Sequence, residues 1–364
     1  MPRSPRKKTA RAATLADVGK AAGVSAMAAS AVLNGARTSS RISPDTRTRI
    51  MEAAAQLRYR PNVAARALAN RRMNTIGVAA VIEGGELNYY FLEAFNGILE
   101  AAMRHGQTTT VFTLHDWNQD AARITEFCDG RIDGLILIGP TLTKEAAEAL
   151  PDHTPFVALH PNEQAHSIIS VESDEEHGAY DMVRYLASLG HRRIMHLSGR
   201  KGLLGAERRI EGYLRALRDC GLPFYQELLV EAHFSIPHGR LALESWLSKH
   251  SQTEWPDAIF CASDSIAVGA LESLSARGIR VPEDISVCGF DDSLAARSTV
   301  PQLASVRQPL RNMGSKAVDI LLDRIRGQQA HSQTDHELAP PVVFKTELVI
   351  RGSIGSPARG QKQS

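Results

Sequence analysis

From Thr75 onward the chain alternates short apolar runs with amphipathic stretches, and this alternation is the strongest constraint on its fold. The runs 76–82, 109–114, 134–138, 156–159, 168–171, 194–198, 258–261 and 285–290 are largely apolar, as strands covered on both faces are. Helical patterns lie between and after them, near 91–105, 119–128, 143–150, 175–189, 207–220, 238–249, 265–277 and 310–327. Such alternation predicts doubly wound parallel sheets in two lobes, with a ligand crevice at the carboxyl ends of the strands.

The first 73 residues break the pattern. They hold fifteen Lys and Arg against three acids (Asp17, Asp45, Glu52), a balance of +12; of the chain's 42 basic and 40 acidic residues this leaves 27 and 37, or −10, for the remainder. A short basic end on an acidic body suits a polyanion-binding module joined to one with another task, although a solvated basic tail has the same arithmetic. Local pattern favours the module. Residues 1–13 read as a disordered basic arm, with two prolines, five basic residues and almost nothing to bury. Thr14 is placed to cap a helix carrying Leu15, Val18 and Ala22; Gly23 stops it, and Ser25 caps a second helix running to about Leu33. Ser43, Pro44 and Asp45 open a third, whose Ile50, Ala54 and Leu57 would close a three-helix core.

Other classes find little support. No run approaches the ~18 uncharged apolar residues of a membrane span, and no apolar stretch follows the basic N-terminus, so a cytoplasmic protein with no membrane role is expected. The four cysteines (Cys128, Cys220, Cys261, Cys288) are scattered, without metal-ligand spacing, which suggests reduced thiols and no metal. There is no P-loop, no G-x-S-x-G and no evident nucleophile–base pair, so neither an enzyme nor a cofactor is expected. A stand-alone binding protein would have no use for residues 14–70.

The stretch Thr14-Leu15-Ala16-Asp17-Val18, Ala22-Gly23-Val24-Ser25, Ser30 and Val32-Leu33-Asn34 resembles the headpiece of the lactose-repressor/galactose-repressor family of bacterial transcriptional regulators. Tyr59-Arg60-Pro61-Asn62 with Ala65-Arg66 and Leu68 is similar to that family's hinge. The resemblance implies a helix-turn-helix headpiece over 14–58, a hinge over 59–74 and an effector-binding and dimerisation domain over 75–352, followed by a flexible tail, 353–364. It further implies that the second helix enters the major groove of operator DNA. Thr14, Ser25, Ala26, Met27, Ser30, Asn34, Ser43, Thr46, Asn62, Arg66 and Leu68 then become the DNA-binding residues, with Thr14, Ser25, Ser43, Thr46 and Asn62 on phosphates. Leu68 stands where the family inserts a leucine into the minor groove, bending the duplex. One departure matters. Ala31 stands where the family commonly carries an arginine, so the bidentate contact to guanine is absent, and Ala26 and Met27 offer apolar contacts such as those to thymine methyl groups.

The larger part carries further matches, among them Leu189-Gly190-His191-Arg192-Arg193-Ile194, Arg209 with Gly212-Tyr213, Ser263-Asp264, Gly289-Phe290-Asp291-Asp292 and Arg307-Gln308-Pro309. They resemble the family's effector domain, which shares its fold with periplasmic sugar-binding proteins. Three crossovers are implied, with lobe 1 at about 75–165 and 305–327 and lobe 2 at about 166–304 and 328–352. Arg209 and Asp291 match the polar ligand clamps, Tyr90 and Phe91 the first-lobe aromatics, and Phe234 the covering aromatic; Ser263 and Gln308 are lesser candidates. Aromatic faces with an arginine and a carboxylate suit a sugar, and would also fit a purine or another small polar metabolite. Asp291 and Asp292 could instead cap the next helix, Arg209 could be an exposed helix arginine, and Phe91 and Phe234 could be core; His191 reads as structural. The implied partners are near-palindromic double-stranded operator DNA, a small effector and a second copy of the chain as a homodimer.

Overall fold

The computed structural model describes residues 12–34, 42–60, 72–82, 88–163, 168–329 and 340–357, in two compact units, Met1–Asn74 and Thr75–Ser364. The proposed hinge residues Asn62, Arg66 and Leu68 lie outside the described residues, as do the basic arm up to residue 11 and the end of the chain from residue 358.

Among the described residues, the first unit contains three helices: α1 (Leu15–Ala22), α2 (Ala26–Asn34) and α3 (Pro44–Gln56). Each begins at a hydroxyl. The Thr14 hydroxyl oxygen accepts from the Asp17 amide at 3.3 Å while Asp17 accepts from the Thr14 amide at 2.8 Å, a reciprocal pair that satisfies two otherwise orphaned donors. The Ser25 and Ser43 hydroxyl oxygens accept from the Ala28 and Thr46 amides at 3.1 and 3.2 Å. Gly23 ends α1 at φ 68°, a left-handed conformation that side chains disfavour. Val18, Ala22, Ala29, Ile50, Ala53 and Ala54 form the core, with Tyr59 packed against it. Leu57 does not join them. It is 39% exposed because the chain turns at Arg58 (φ 48°) and the Tyr59 amide folds back to the Ala54 carbonyl at 2.8 Å, so Tyr59 covers the end of the core that Leu57 was expected to fill.

The second unit contains two six-stranded sheets. In chain order the strands are β1 (Thr75–Val81), β2 (Thr108–Leu114), β3 (Gly134–Ile138), β4 (Phe156–Leu159), β5 (Ile169–Ser173), β6 (Ile194–Ser198), β7 (Leu229–Glu231), β8 (Ala258–Cys261), β9 (Ser286–Asp291), β10 (Ala304–Arg307), β11 (Val342–Phe344) and β12 (Glu347–Val349). The first sheet runs β11-β5-β4-β3-β1-β2, all parallel; the second runs β12-β10-β9-β8-β6-β7, parallel except for β12 against β10. Central strands such as β3, β4, β6 and β8 are buried along their whole length, which is why they read as largely apolar runs. Helices Tyr89–Arg104 and Leu310–Gln329 pack together on one face of the first sheet, and Glu175–Ser188 with Leu204–Asp219 on one face of the second.

The lobe boundaries differ from those expected. β5 lies beside β4, with Val157 opposite Ile169, and β11 lies beside β5, so both belong to the first lobe; β10 lies beside β9, with Ala304 opposite Cys288, and belongs to the second. The described chain therefore crosses between lobes after Ser173, between Arg307 and Leu310, and between Phe344 and Glu347. Alternation locates strands but does not say which sheet accepts them. Residues 353–357, expected in the flexible tail, are instead packed against the second sheet. Ser353 is fully buried, its hydroxyl donating to the Val287 carbonyl at 2.6 Å and accepting from the Ala304 amide at 2.8 Å. His191 Nε2 lies 2.8 Å from the Gly355 carbonyl oxygen, a structural role for that histidine.

Candidate functional site

On the headpiece, Ser25, Ala26 and Met27 open α2 and are exposed, Met27 to 72%. The serine hydroxyls there each accept one bond within the helix and keep a proton to donate. The Ser25 oxygen accepts from its own helix, and Ser30 accepts from Asn34 Nδ2 at 3.2 Å. Thr14 donates its hydroxyl proton to Asp17 at 2.7 Å, and Ser43 donates to Thr46 at 2.9 Å. Lys20, Arg47, Arg49, Arg58 and Arg60 are exposed on the same unit and supply cations that the sequence-based selection did not single out.

In the second unit, the first and second crossovers bring polar groups together where the strands end. Arg209, from helix Leu204–Asp219, is buried rather than exposed. Its Nη2 donates to Glu175 at 2.6 Å, its Nη1 donates to the Ala262 carbonyl, and its guanidinium lies 4.1 Å from the Phe290 ring centroid and 5.6 Å from that of Phe234. Arg209 Nε is buried without a hydrogen-bond partner among the described residues. Burial acts to raise the pKa of Glu175, but Arg209, His160 and Arg208 outweigh it and hold the carboxyl below its ordinary value. Next to it, Arg208 of the second lobe donates to Glu172 of the first at 2.6 Å.

Asp291 ends β9 at φ 114° and accepts from Gln308 Nε2 at 2.6 Å. Burial pushes its carboxyl well above the ordinary range, with Arg209 opposing and Asp264 reinforcing the shift. Asp292 does not cap the helix at Leu294. Arg307 Nε donates to it at 2.7 Å, and Arg351 Nη2 lies 2.6 Å from its other oxygen. Tyr90 lies in the first turn of the first-lobe helix Tyr89–Arg104, and its hydroxyl lies 2.6 Å from His160 Nδ1. Burial raises the pKa of that phenol, and the negative charges of Glu175 and Asp291 raise it further.

The remaining candidates divide. Phe234 is half-buried against Arg209, and Gly199 gives its ring room, since a β-carbon there would collide with it. Phe91 points away from the cleft. It is 5% exposed, stacks on Phe95 at 5.4 Å and belongs to the first-lobe core, because consecutive helical residues face directions about 100° apart. Ser263 caps helix Asp264–Ala276, its hydroxyl oxygen accepting from the Ile266 amide at 3.2 Å. Sequence reasoning missed His160, Ser173, Glu172, Glu175 and Arg208. The one available signal was position, because His160 and Ser173 sit at carboxyl ends of strands, where such folds hold ligands.

A helix-turn-helix followed by two parallel α/β lobes enclosing charged and aromatic side chains defines a ligand-controlled DNA-binding regulator. The model of bacterial regulatory proteins of the lacI family matches residues 14–62, and that of the periplasmic binding protein-like domain matches 183–354. The HTH-type transcriptional repressor PurR of Vibrio cholerae serotype O1 is 30% identical over 336 residues, covering 91% of this chain and 96% of its own. A solved lac repressor dimer bound to operator and the anti-inducer ONPF superposes with a TM-score of 0.81 at 26% identity, over 95% of this chain and 100% of that one. A complex of the transcriptional regulator CelR with cellobiose gives 0.68 at 28% identity, over 94% and 99%. The chain belongs to the lacI family of bacterial regulatory proteins, and is a DNA-binding transcriptional repressor with an effector-binding domain. Among the described residues, no helix is long and apolar enough to cross a membrane.

Proposed function

We propose that this protein is a homodimeric, cytoplasmic repressor that binds a near-palindromic operator and senses an uncharged sugar or sugar derivative between its lobes. The observation that carries the reading is the group of polar side chains between the lobes: buried Arg209, Asp291 and Gln308 with half-buried Tyr90 and His160, beside the Phe234 ring. The cleft already pairs its cations. Arg208 and Arg209 face Glu172 and Glu175, which leaves neither cation unpaired for a phosphate, and Asp291 adds a carboxyl group that suits a hydroxyl. The cellobiose bound by the related CelR supports the sugar class. On the headpiece, the exposed start of α2 faces the major groove, and Asn62, Arg66 and Leu68 make the hinge contacts, with Leu68 as the minor-groove wedge.

The test is thermal unfolding of the full chain against neutral sugars and nucleosides beside their phosphates, followed by gel shifts with each hit. A ligand at about a hundred times its Kd adds roughly 2.7 kcal/mol of stability. A neutral sugar that both raises the midpoint and changes operator affinity supports the reading. Stabilisation by phosphates alone refutes the uncharged class.

A further inference from the structure

We propose that His160 is a positioning residue of the effector cleft, joined through Ser173 and Gln308 in one hydrogen-bond relay from Tyr90 in the first lobe to Asp291 in the second. The inference rests on reading this cleft as the effector site, but its test needs no effector.

Each link joins a different element. The Tyr90 hydroxyl, on helix Tyr89–Arg104, meets His160 Nδ1 at 2.6 Å, and His160 follows β4 at φ 47°. Its other nitrogen, Nε2, lies 3.0 Å from the Ser173 hydroxyl at the end of β5. That hydroxyl donates to Gln308 Oε1 at 2.5 Å, in the second crossover. Gln308 Nε2 then donates to Asp291 at 2.6 Å, at the end of β9. Residues up to 218 positions apart in the chain thus share one row of hydrogen bonds.

The row has a direction because a neutral imidazole donates from one nitrogen and accepts at the other. With the proton on Nε2, His160 donates to Ser173 and the chain of donors runs on to the Asp291 carboxylate. Tyr90 then donates into Nδ1 and keeps only its oxygen lone pair for a ligand. With the proton on Nδ1, His160 donates to Tyr90 and Nε2 accepts from the Ser173 backbone amide, 3.1 Å away, leaving the Tyr90 proton for a ligand. The tautomer of His160 therefore decides whether Tyr90 offers a ligand an acceptor or a donor, and Gln308 Oε1, which takes the Ser173 proton and leaves that hydroxyl only lone pairs for Nε2, favours the first. The ring stays neutral around physiological pH. Burial drives its pKa down to about 4, with Arg209 and Arg208 acting in the same direction and Glu175 and Glu172 opposing.

The experiment is nitrogen NMR of the full chain labelled at histidine, with the His160 ring assigned from the signals lost in His160→Gln. Should that variant not fold, Tyr90→Phe identifies the ring by removing only the hydroxyl on Nδ1. Gln308→Leu and Asp291→Asn, which alter the far end of the row, should each change the His160 tautomer ratio by at least about twofold, the lower end of coupling within one network. In a Ser173→Ala background the same changes should leave the ratio unaltered. An unchanged ratio in Gln308→Leu and Asp291→Asn overturns the relay, as does an equal change with Ser173 removed. If instead the relay behaves as described and no sugar binds, the effector reading fails and the relay stands.

Discussion

Replacing Arg209 by methionine removes the guanidinium but keeps much of the volume, and leaves Glu175 a buried carboxylate without its main partner. Arg209 is 5% exposed and Glu175 3%, so solvent does little to compensate. Breaking a buried pair from one side costs about 3–5 kcal/mol. For a unit of this size that corresponds to a fall of roughly 6–20 °C in the midpoint of sensor unfolding. The pH dependence carries the sharper signature. In the parent, Glu175 is held below its ordinary value of 4.5, so its contribution is present above that pH and is lost as pH falls through the folded-state pKa. Without Arg209, burial wins and the folded pKa rises. The carboxyl then costs nothing below its unfolded value, and stability is lost as pH rises through the raised pKa. Calorimetric scans from about pH 4 to 8 should therefore show the gap between parent and Arg209→Met widening with pH. The double variant with Glu175→Gln should recover most of the loss, since the buried charge has gone. A loss below about 1 kcal/mol, the level of an exposed ion pair, or a gap that does not depend on pH, would refute the account.

Operator affinity should fall steeply between about 50 and 200 mM salt, because several headpiece cations release counterions; a flat dependence in titrations by anisotropy would contradict this. Leu68→Ala should weaken specific operator binding while sparing nonspecific binding, and equal losses on both would take Leu68 out of the interface. Replacing operator thymines by uracils, which removes only the methyl groups, should weaken the parent more than Met27→Ala; an equal effect on both would show that Met27 does not read them. Ser353→Ala should cost about 1–3 kcal/mol in urea unfolding, since the Ala304 amide and Val287 carbonyl lose a buried partner, and a neutral result would mean that the C-terminal segment does not hold the second sheet.

Local rules made the headpiece readable. Thr14, Gly23, Ser25 and the Ser43-Pro44 pair mark helix ends through interactions spanning three or four residues, and the helices begin at those caps. Leu57 escaped because its exposure depends on the left-handed turn at Arg58, which has neither glycine nor asparagine to announce it. The apolar runs marked most strands of both sheets, but β7, β10, β11 and β12 are only three or four residues long, and all but β11 carry polar groups, so they left no clear pattern. Arg209 and Asp291 were legible through motif resemblance. His160 and Ser173 were not, because what they do depends on Gln308 and Asp291, which arrive through crossovers more than a hundred residues away.

The second crossover also sets an order of assembly during synthesis. Every residue of the headpiece core lies before residue 60, so that module is complete early in translation. The first lobe has no such independence. Ala94, Ile98 and Ala101 pack in one core with Leu310, Met313, Ala317 and Leu321, and β11 is added only at 342–344. A ribosome halted anywhere between these points carries a finished DNA-reading module on a sensor whose first sheet has one apolar face bare. Nonsense mutations late in the gene should therefore yield products that aggregate or are degraded, rather than repressors that bind operator and merely ignore their effector.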